Sequence, residues 1–256
     1  NTETNTETNT ETNTETNTET NTETNTETNT ETNTETGTGT GTGTTETLPT
    51  GVSSVEVKLV DAETAEDIYL SNEESFDVAG LIESVTLHLE DGTDYQVQDP
   101  ATAIDFAMTP AEAYATVDQK AGAGKVYFNG EVGLKYKGEE DLTISETVKV
   151  AVALKGDTNL DGKVTSTDLY DTMLYIALKG AGEKEYFDTV KNGTALETKL
   201  AYLASDIDTE SKAGANTDDA KLDSTDMLYT QVYQAYNGAG EHIDWAEALK
   251  IANGGK

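Results

Sequence analysis

The residues best suited to chemistry are the oxygen-bearing side chains that alternate around a glycine between Asp157 and Asp168. Calcium accepts six to eight oxygen ligands, and a twelve-residue loop supplies them around a glycine at position 6. Gly162 occupies that position. We predict a calcium site with ligands at Asp157, Asn159, Asp161, Lys163 (through its backbone carbonyl), Thr165 and Asp168. The alternatives are an Asp-rich turn that caps the next helix, and magnesium, whose smaller octahedral shell fits this loop less well.

The second half of this loop recurs later in the chain. Lys163 to Glu183 reads KVTSTDLYDTMLYIALKGAGE, and Lys221 to Glu241 reads KLDSTDMLYTQVYQAYNGAGE, an offset of 58. Each copy predicts half a loop followed by a helix of about four turns. In the second copy nine extra residues separate the loop halves. We therefore predict a second calcium ion, with ligands at Asp206, Asp208, Glu210, Lys221, Asp223 and Asp226; Asp218 and Asp219 are alternatives to Glu210.

The charge of the chain narrows the classes of partner. It has 49 acidic and 16 basic residues, a net charge of -33. Such a surface repels nucleic acids and anionic membranes, because binding to both depends on attraction of Lys and Arg to phosphate. Cations and proteins with a basic patch are the natural ligands. The absence of cysteine excludes disulfides, thiolate zinc sites and Cys nucleophiles.

Composition divides the chain into three segments. Residues 1–50 contain nine copies of Asn-Thr-Glu-Thr and a single apolar residue, so they cannot bury enough surface to fold. We predict a disordered linker there, with glycosylation of its threonines left open. Because the chain starts in mid-repeat, without Met or a signal peptide, we expect a fragment of a longer secreted protein. The remaining boundaries are 51–155 and 156–256.

Residues 51–155 show the alternating pattern of β-strands with one buried face, as in Val85, Leu87 and Leu89. Asp91-Gly92 and Asn129-Gly130 suit tight turns and predict two hairpins. Residues 76–83 fit either a short helix or a strand. We predict an antiparallel β-sandwich for this segment. Residues 156–256 are predicted to be all-α, so the expected fold class is a multidomain α+β protein.

The paired loops are similar to those of a known family. Each loop ends in Asp and leads into a helix, and the strand pattern of Val148 to Lys155 replaces an entering helix. Residues 156–256 resemble a dockerin, the calcium-dependent module by which cellulosomal proteins bind cohesins. The insertion in the second loop and the preceding β segment resemble an X-module/dockerin dyad with a type III-like dockerin. The resemblance implies an Ig-like X module followed by an all-α dockerin with two F-hand loops.

The resemblance also implies a function and its residues. The partner would be a cohesin of a scaffoldin at the cell surface, in cellulosome assembly for polysaccharide degradation. The X module would stabilise the dockerin, and the protein would be secreted, monomeric before complex formation, and not an enzyme. The family's binding helices map onto 167–179 and 225–237. The partner-binding residues would be Ser166, Thr167, Leu169, Tyr170, Met173, Ser224, Thr225, Leu228, Tyr229 and Gln231.

Two other functions remain open from the sequence. One is an extracellular calcium-dependent carbohydrate-binding module, with sugar held on the β segment. The other is a calcium sensor of the EF-hand type, which needs entering helices and a Met-rich groove that the sequence does not indicate.

Overall fold

The computed structural model describes residues 46–60, 67–117, 124–138, 142–183, 191–208 and 222–255. They belong to one compact unit, Thr45–Lys256. Residues 1–45 of the predicted linker lie outside the described residues. Glu46, near the linker's end, accepts hydrogen bonds from the backbone N–H groups of Gln98 at 3.1 Å and Asp99 at 3.3 Å. The end of the predicted linker is therefore attached to the folded unit.

Seven strands form two sheets in the described part of the chain. They are β1 (Val52–Leu59), β2 (Asp67–Leu70), β3 (Ile82–Leu89), β4 (Asp94–Gln96), β5 (Ile104–Phe106), β6 (Phe128–Tyr136) and β7 (Thr143–Ala153). The first sheet has the order β1-β3-β4, and both of its strand pairs are antiparallel. The second has the order β2-β7-β6-β5, with β2 parallel to β7 and the other two pairs antiparallel.

Seven helices lie among the described residues. They are α1 (Val78–Leu81), α2 (Pro100–Ala103), α3 (Pro110–Ala115), α4 (Ser166–Gly180), α5 (Ala195–Ser205), α6 (Ser224–Gly238) and α7 (Trp245–Ala252). Both α2 and α3 begin with proline, which suits a first turn because its missing N–H would have no partner there. None of the described helices combines the length and the apolarity that crossing a bilayer requires.

The two sheets share one hydrophobic core. Val85 and Leu87 of β3 pack in the same cluster as Val132 of β6 and Val152 of β7, and all four are fully buried. Ile104 of β5 belongs to the same cluster. Their alternation along the strands places these side chains on the inner faces of the sheets.

The predicted antiparallel Ig-like sandwich is wrong. β2 runs parallel to β7, with Asp67 opposite Val150 and Leu70 opposite Ala153, and three helices interrupt the strands. Alternation could not reveal β2, because Ile68, Tyr69 and Leu70 are buried in succession. Such continuous burial is typical of a parallel strand that is covered on both faces.

The predicted all-α fold of residues 156–256 is also wrong. Helix α5 packs on β2 and β7, and its Leu200 and Ala204 share a cluster with Leu70 and Ala153 of these strands. Leu160, from the loop after β7, joins the same cluster. The helices thus bury apolar surface against the sheet, and the described chain is a mixed α/β fold. The boundary at 155 stays a prediction.

One of the two predicted hairpins is confirmed. β3 and β4 pair in antiparallel fashion around Asp91-Gly92, where Gly92 has φ +84°. Asn129-Gly130, by contrast, lies inside β6, with Gly130 opposite Val150 of β7. A Cβ on Gly130 would lie 2.9 Å from the ring of Phe128. This glycine therefore makes room for a neighbouring ring and does not form a turn.

Asp67 at the start of β2 gives the fold a testable pH dependence. Burial raises the pKa of its carboxyl to about 6, and the charge of Asp77 acts in the same direction. The carboxyl stabilises the fold when protonated, so its contribution is complete below the unfolded value near 3.8 and is lost as pH rises through about 6. Asp67→Asn should remove this dependence and raise the free energy of unfolding at neutral pH by about 1 kcal/mol, after discounting for solvent screening.

Urea unfolding at acidic and neutral pH measures this effect. Glu74→Gln, which removes an exposed carboxylate from the loop after β2, is the control. Equal pH profiles for Asp67→Asn and the wild type would contradict the prediction.

Candidate metal centre

The first predicted calcium loop leaves the sheet directly from the end of β7. Gly156 has φ +85°, and its N–H donates to the carbonyl of Ala204 at 2.8 Å. A Cβ at Gly156 would lie 2.4 Å from the ring of Trp245, so only glycine fits. This close packing against α5 and α7 fixes where the loop begins.

Asp157 organises the first half of the loop. Its side chain is fully buried and accepts hydrogen bonds from the N–H groups of Asp161 at 3.0 Å and Gly162 at 2.7 Å. Gly162 has φ +85°, as the predicted sharp turn requires. Leu160 also has positive φ, at 56°, and its side chain is buried in the cluster with α5. The loop is thus closed on itself and attached to the fold.

Asp168 joins the end of the loop to its beginning. The carboxylate is fully buried and accepts hydrogen bonds from the N–H groups of Thr158 at 2.9 Å and Thr165 at 2.7 Å. Asp168 and Thr165 also form the capping box that starts α4. The position of this carboxylate therefore sets both the shape of the loop and the first turn of the helix.

The electrostatics of the first loop fit a cation. Burial raises the pKa of Asp157 to about 7, with the charges of Asp168 and Asp161 acting in the same direction. Burial also raises the pKa of Asp168. No described lysine forms an ion pair with Asp157 or Asp168. Two buried carboxylates without a basic partner are costly unless a proton or a metal ion offsets their charge.

The second predicted site brings three carboxylates together. Oxygens of Asp206, Asp208 and Asp226 lie within 4.8 Å of one another, and no other acidic or histidine group in the described part of the chain meets this criterion. The carboxylates of the first loop are therefore more widely spread. Asp206 follows the end of α5, and Asp226 lies in the first turn of α6. Burial raises the pKa of Asp226 to about 6, with the charges of Asp206 and Asp208 adding to the effect.

Corresponding residues make the same hydrogen bonds in the two loops. Asp226 accepts from the N–H groups of Ile207 at 2.8 Å and Asp223 at 2.9 Å, as Asp168 does from Thr158 and Thr165. Asp223 also forms a capping box with Asp226 at the start of α6. The described parts of the two loops therefore have the same hydrogen-bonded backbone arrangement, although nine extra residues separate the halves of the second loop. Glu210, Lys221 and the alternatives Asp218 and Asp219 lie outside the described residues.

The remaining predicted ligands lie near their buried carboxylates. The side-chain oxygen of Asn159 accepts from the N–H of Asp161 at 2.9 Å, and Asp161 accepts from the N–H of Lys163 at 3.0 Å. Thr165 is half-buried, and Asp223 is exposed. All these donors are oxygens, which calcium prefers. The described members of both predicted ligand sets are therefore compatible with calcium.

A buried lysine distinguishes the second site from the first. Lys155 is 4% exposed and lines a cavity of about 740 Å³ together with Glu73 and Asp206. Burial lowers the pKa of Lys155, whereas the charges of Asp206, Asp208 and Glu73 oppose that shift. The second site therefore has a buried lysine close to its carboxylates, which opposes a bound cation when its amino group is protonated. Sequence analysis missed this residue, because its only signal is its place just before Gly156.

Lys155→Met should tighten calcium binding at the second site. Methionine keeps the apolar stem but removes the charge that repels a cation, so we expect about tenfold higher affinity, or ~1.4 kcal/mol. Calorimetric titration of the full chain measures the calcium affinity of both sites, and the affinity of the first site should be unchanged. Lys135→Met removes the same charge from an exposed pair with Asp105 and is the matched control. An unchanged or weaker second site would contradict this role of Lys155.

The predicted partner-binding residues lie on two helices that pack together, α4 and α6. Tyr170 and Met173 on α4 are 54% and 44% exposed, and Leu228 on α6 is 44% exposed. Ser166, Thr167, Ser224 and Gln231 are also exposed, whereas Leu169 and Thr225 are half-buried. Tyr229 is buried in a cluster with Ile207 and Trp245, so it packs in the core and is not part of the exposed surface of α6.

Contacts between the two repeats, and between the second repeat and the terminal helix, hold α6 and α7 in place. Trp245 stacks on Tyr233 with ring centroids 3.9 Å apart and an angle of 7°. The side chain of Gln234 on α6 donates to the carbonyl of Thr165, which links this helix to the first loop. Sequence analysis gave no role to Gln234.

No protein-family model matches the chain, and no curated protein matches it.

Proposed function

We propose that this protein is a calcium-dependent protein–protein assembly module. Two calcium ions would be held by the loops that precede α4 and α6, and the exposed faces of these helices would bind the partner. The dockerin resemblance of the two repeats supports a cohesin of a cell-surface scaffoldin as that partner. The module would then act outside the cell, as a monomer before complex formation and without catalysis.

The exposed apolar side chains of α4 and α6 carry this proposal. The described residues include four large hydrophobic side chains that are exposed, and three of them are Tyr170, Met173 and Leu228. Exposed apolar groups that cluster on adjacent elements, with polar neighbours such as Ser166 and Ser224, are typical of a protein-binding surface. The grouping on two packed helices distinguishes these side chains from scattered exposed hydrophobics.

Calcium would act on this surface through the starts of the two helices. Asp168 and Asp226 lie in the first turns of α4 and α6, and both are predicted ligands. An ion supplies positive charge to the buried carboxylates, and its binding free energy adds to that of folding. The ion would thereby fix the orientation of the helices that present Tyr170, Met173 and Leu228.

The carbohydrate-binding alternative has less support. The rings that line the 740 Å³ cavity are those of Tyr69 and Phe76, and they are 4% and 2% exposed. Sugar rings need an exposed aromatic face for stacking, which neither residue offers. Assembly through α4 and α6 is therefore the function that the described residues favour.

A calcium titration of the full chain tests the proposal. We expect calorimetry to detect two bound ions and far-UV circular dichroism to show a gain of helix that EGTA reverses. A panel of cohesin modules, screened with calcium and with EGTA, should then yield a complex only with calcium. Absence of calcium binding, or a cohesin complex that persists in EGTA, would overturn the proposal.

A further inference from the structure

A buried tyrosine of the strand-rich part has a hydroxyl that lacks a partner. Tyr114 on α3 is 6% exposed, and its Oη makes no hydrogen bond to the described residues. A buried hydroxyl without a partner has lost its hydrogen bonds to water without compensation, so native proteins rarely contain one without a reason. The surroundings of Tyr114 provide such a reason.

The first calcium loop rests on the part of the fold that holds Tyr114. Tyr114 and Val126 share one core cluster. The N–H of Val126 donates to the carbonyl of Leu160 at 2.7 Å, and Lys125 Nζ donates to the carbonyl of Asn159 at 3.0 Å. A Cβ at Gly162 would lie 2.9 Å from Val126, so the turn of the loop fits closely against this segment.

The Tyr114 hydroxyl lies close enough to this loop for the charges of Asp157 and Asp161 to act on it. Burial raises the pKa of its hydroxyl to about 12, and the charges of Asp157 and then Asp161 act in the same direction. The hydroxyl carries one proton and, having no partner among the described residues, can donate one hydrogen bond. Asp157 and Asp161 are acceptors with spare lone pairs, because each carboxylate has about four acceptor positions.

We propose that Tyr114 is a positioning residue of the first calcium site: its hydroxyl donates a hydrogen bond to the carboxylate of Asp157 or Asp161 once calcium draws the two together. This inference rests on the proposed calcium binding by the first loop. It extends the site beyond the twelve-residue loop to a helix about 45 residues upstream. The two sites then differ in their neighbours. The first has the Tyr114 hydroxyl as a hydrogen-bond donor, and the second has the buried Lys155.

Tyr114→Phe tests this role, since phenylalanine keeps the ring and removes only the hydroxyl. Calcium affinity is measured calorimetrically on the full chain carrying Asp206→Asn, so that the first site is observed alone. We expect Tyr114→Phe to weaken that site about three- to tenfold, within the range typical of outer-shell partners. Tyr136→Phe, at another buried tyrosine of the same core, is the control and should leave the affinity unchanged.

Thermal unfolding with and without calcium separates positioning from simple packing. In EGTA the Tyr114 hydroxyl has no partner to lose, so Tyr114→Phe should be at least as stable as the wild type. With calcium it should be less stable than the wild type. Equal affinity in the two proteins, or equal destabilisation with and without calcium, would overturn the inference while calcium binding itself stands. A wild-type chain that binds no calcium would overturn both the inference and the proposed function.

Discussion

The paired substitution Asp157→Asn and Asp206→Asn is expected to abolish calcium binding in both loops. Loss of an outer-shell partner commonly lowers metal affinity 10- to 100-fold, so loss of a charged ligand should lower each affinity at least about 100-fold. The calcium-dependent gain of helix should disappear with it. Stabilisation by calcium should also be lost, which at 100 times the dissociation constant amounts to about 2.7 kcal/mol per site.

The same double substitution also distinguishes loss of calcium binding from loss of folding. Asparagine keeps one of the two oxygens that accept the N–H groups of Asp161 and Gly162, and it removes the buried charge of Asp157. Because burial raises the pKa of Asp157 to about 7, its ionised form destabilises the ion-free fold at higher pH. In EGTA above neutral pH the variant should therefore stay folded, because removal of this charge offsets the loss of one hydrogen bond.

Calorimetry and chemical unfolding in calcium and in EGTA measure these outcomes. The control is Asp94→Asn with Asp105→Asn, which removes two exposed carboxylates from the strands and should keep both calcium sites. Calcium binding by the double ligand variant at wild-type affinity would show that the loops do not hold the ion through these residues.

The second large expected effect is the loss of partner binding when exposed apolar residues of α4 and α6 are substituted. Replacing Tyr170, Met173 and Leu228 together by alanine should weaken binding to a cohesin partner at least 100-fold. Central apolar residues of an interface commonly contribute about 2 kcal/mol or more each, or a factor of about 30, and their effects are not additive. Calcium affinity should be unchanged, because none of the three is a predicted ligand.

Surface plasmon resonance in saturating calcium measures this loss. Val60→Ala removes an exposed apolar side chain that follows β1, and it should leave partner binding unchanged. Variants substituted on α4 alone or on α6 alone would show whether the partner binds through one helix or in two orientations related by the repeat. Undiminished binding by the triple variant would exclude this face as the interface.

Local features of the candidate site could be predicted from the sequence. Gly162 has the positive φ that its loop position requires, and Asp168 and Asp226 start the helices that follow. The β3–β4 turn at Asp91-Gly92 was predictable for the same reason. Each of these features depends on the stereochemistry of a few neighbouring residues, which a short stretch of sequence contains.

Features that depend on distant contacts were predicted wrongly or not at all. The parallel pairing of β2 with β7 joins residues about 83 positions apart, and α5 covers these strands from further along the chain. A pattern of alternation reports that a face is buried but not which element covers it. The structure is therefore a mixed α/β fold, whereas the sequence had predicted a β-sandwich and a separate all-α segment.

The sequence by itself determined where the two helices begin and that the loop–helix unit is duplicated, and it predicted which residues would hold calcium. Only the tertiary structure decided what surrounds those units. It placed Lys155 beside the second set of carboxylates and Tyr114 beside the first, and it buried Tyr229 while leaving Tyr170 exposed. The physical reason is that ligand type and turn geometry are properties of local residues, whereas burial, charge neighbours and exposure arise from packing between segments far apart in the chain.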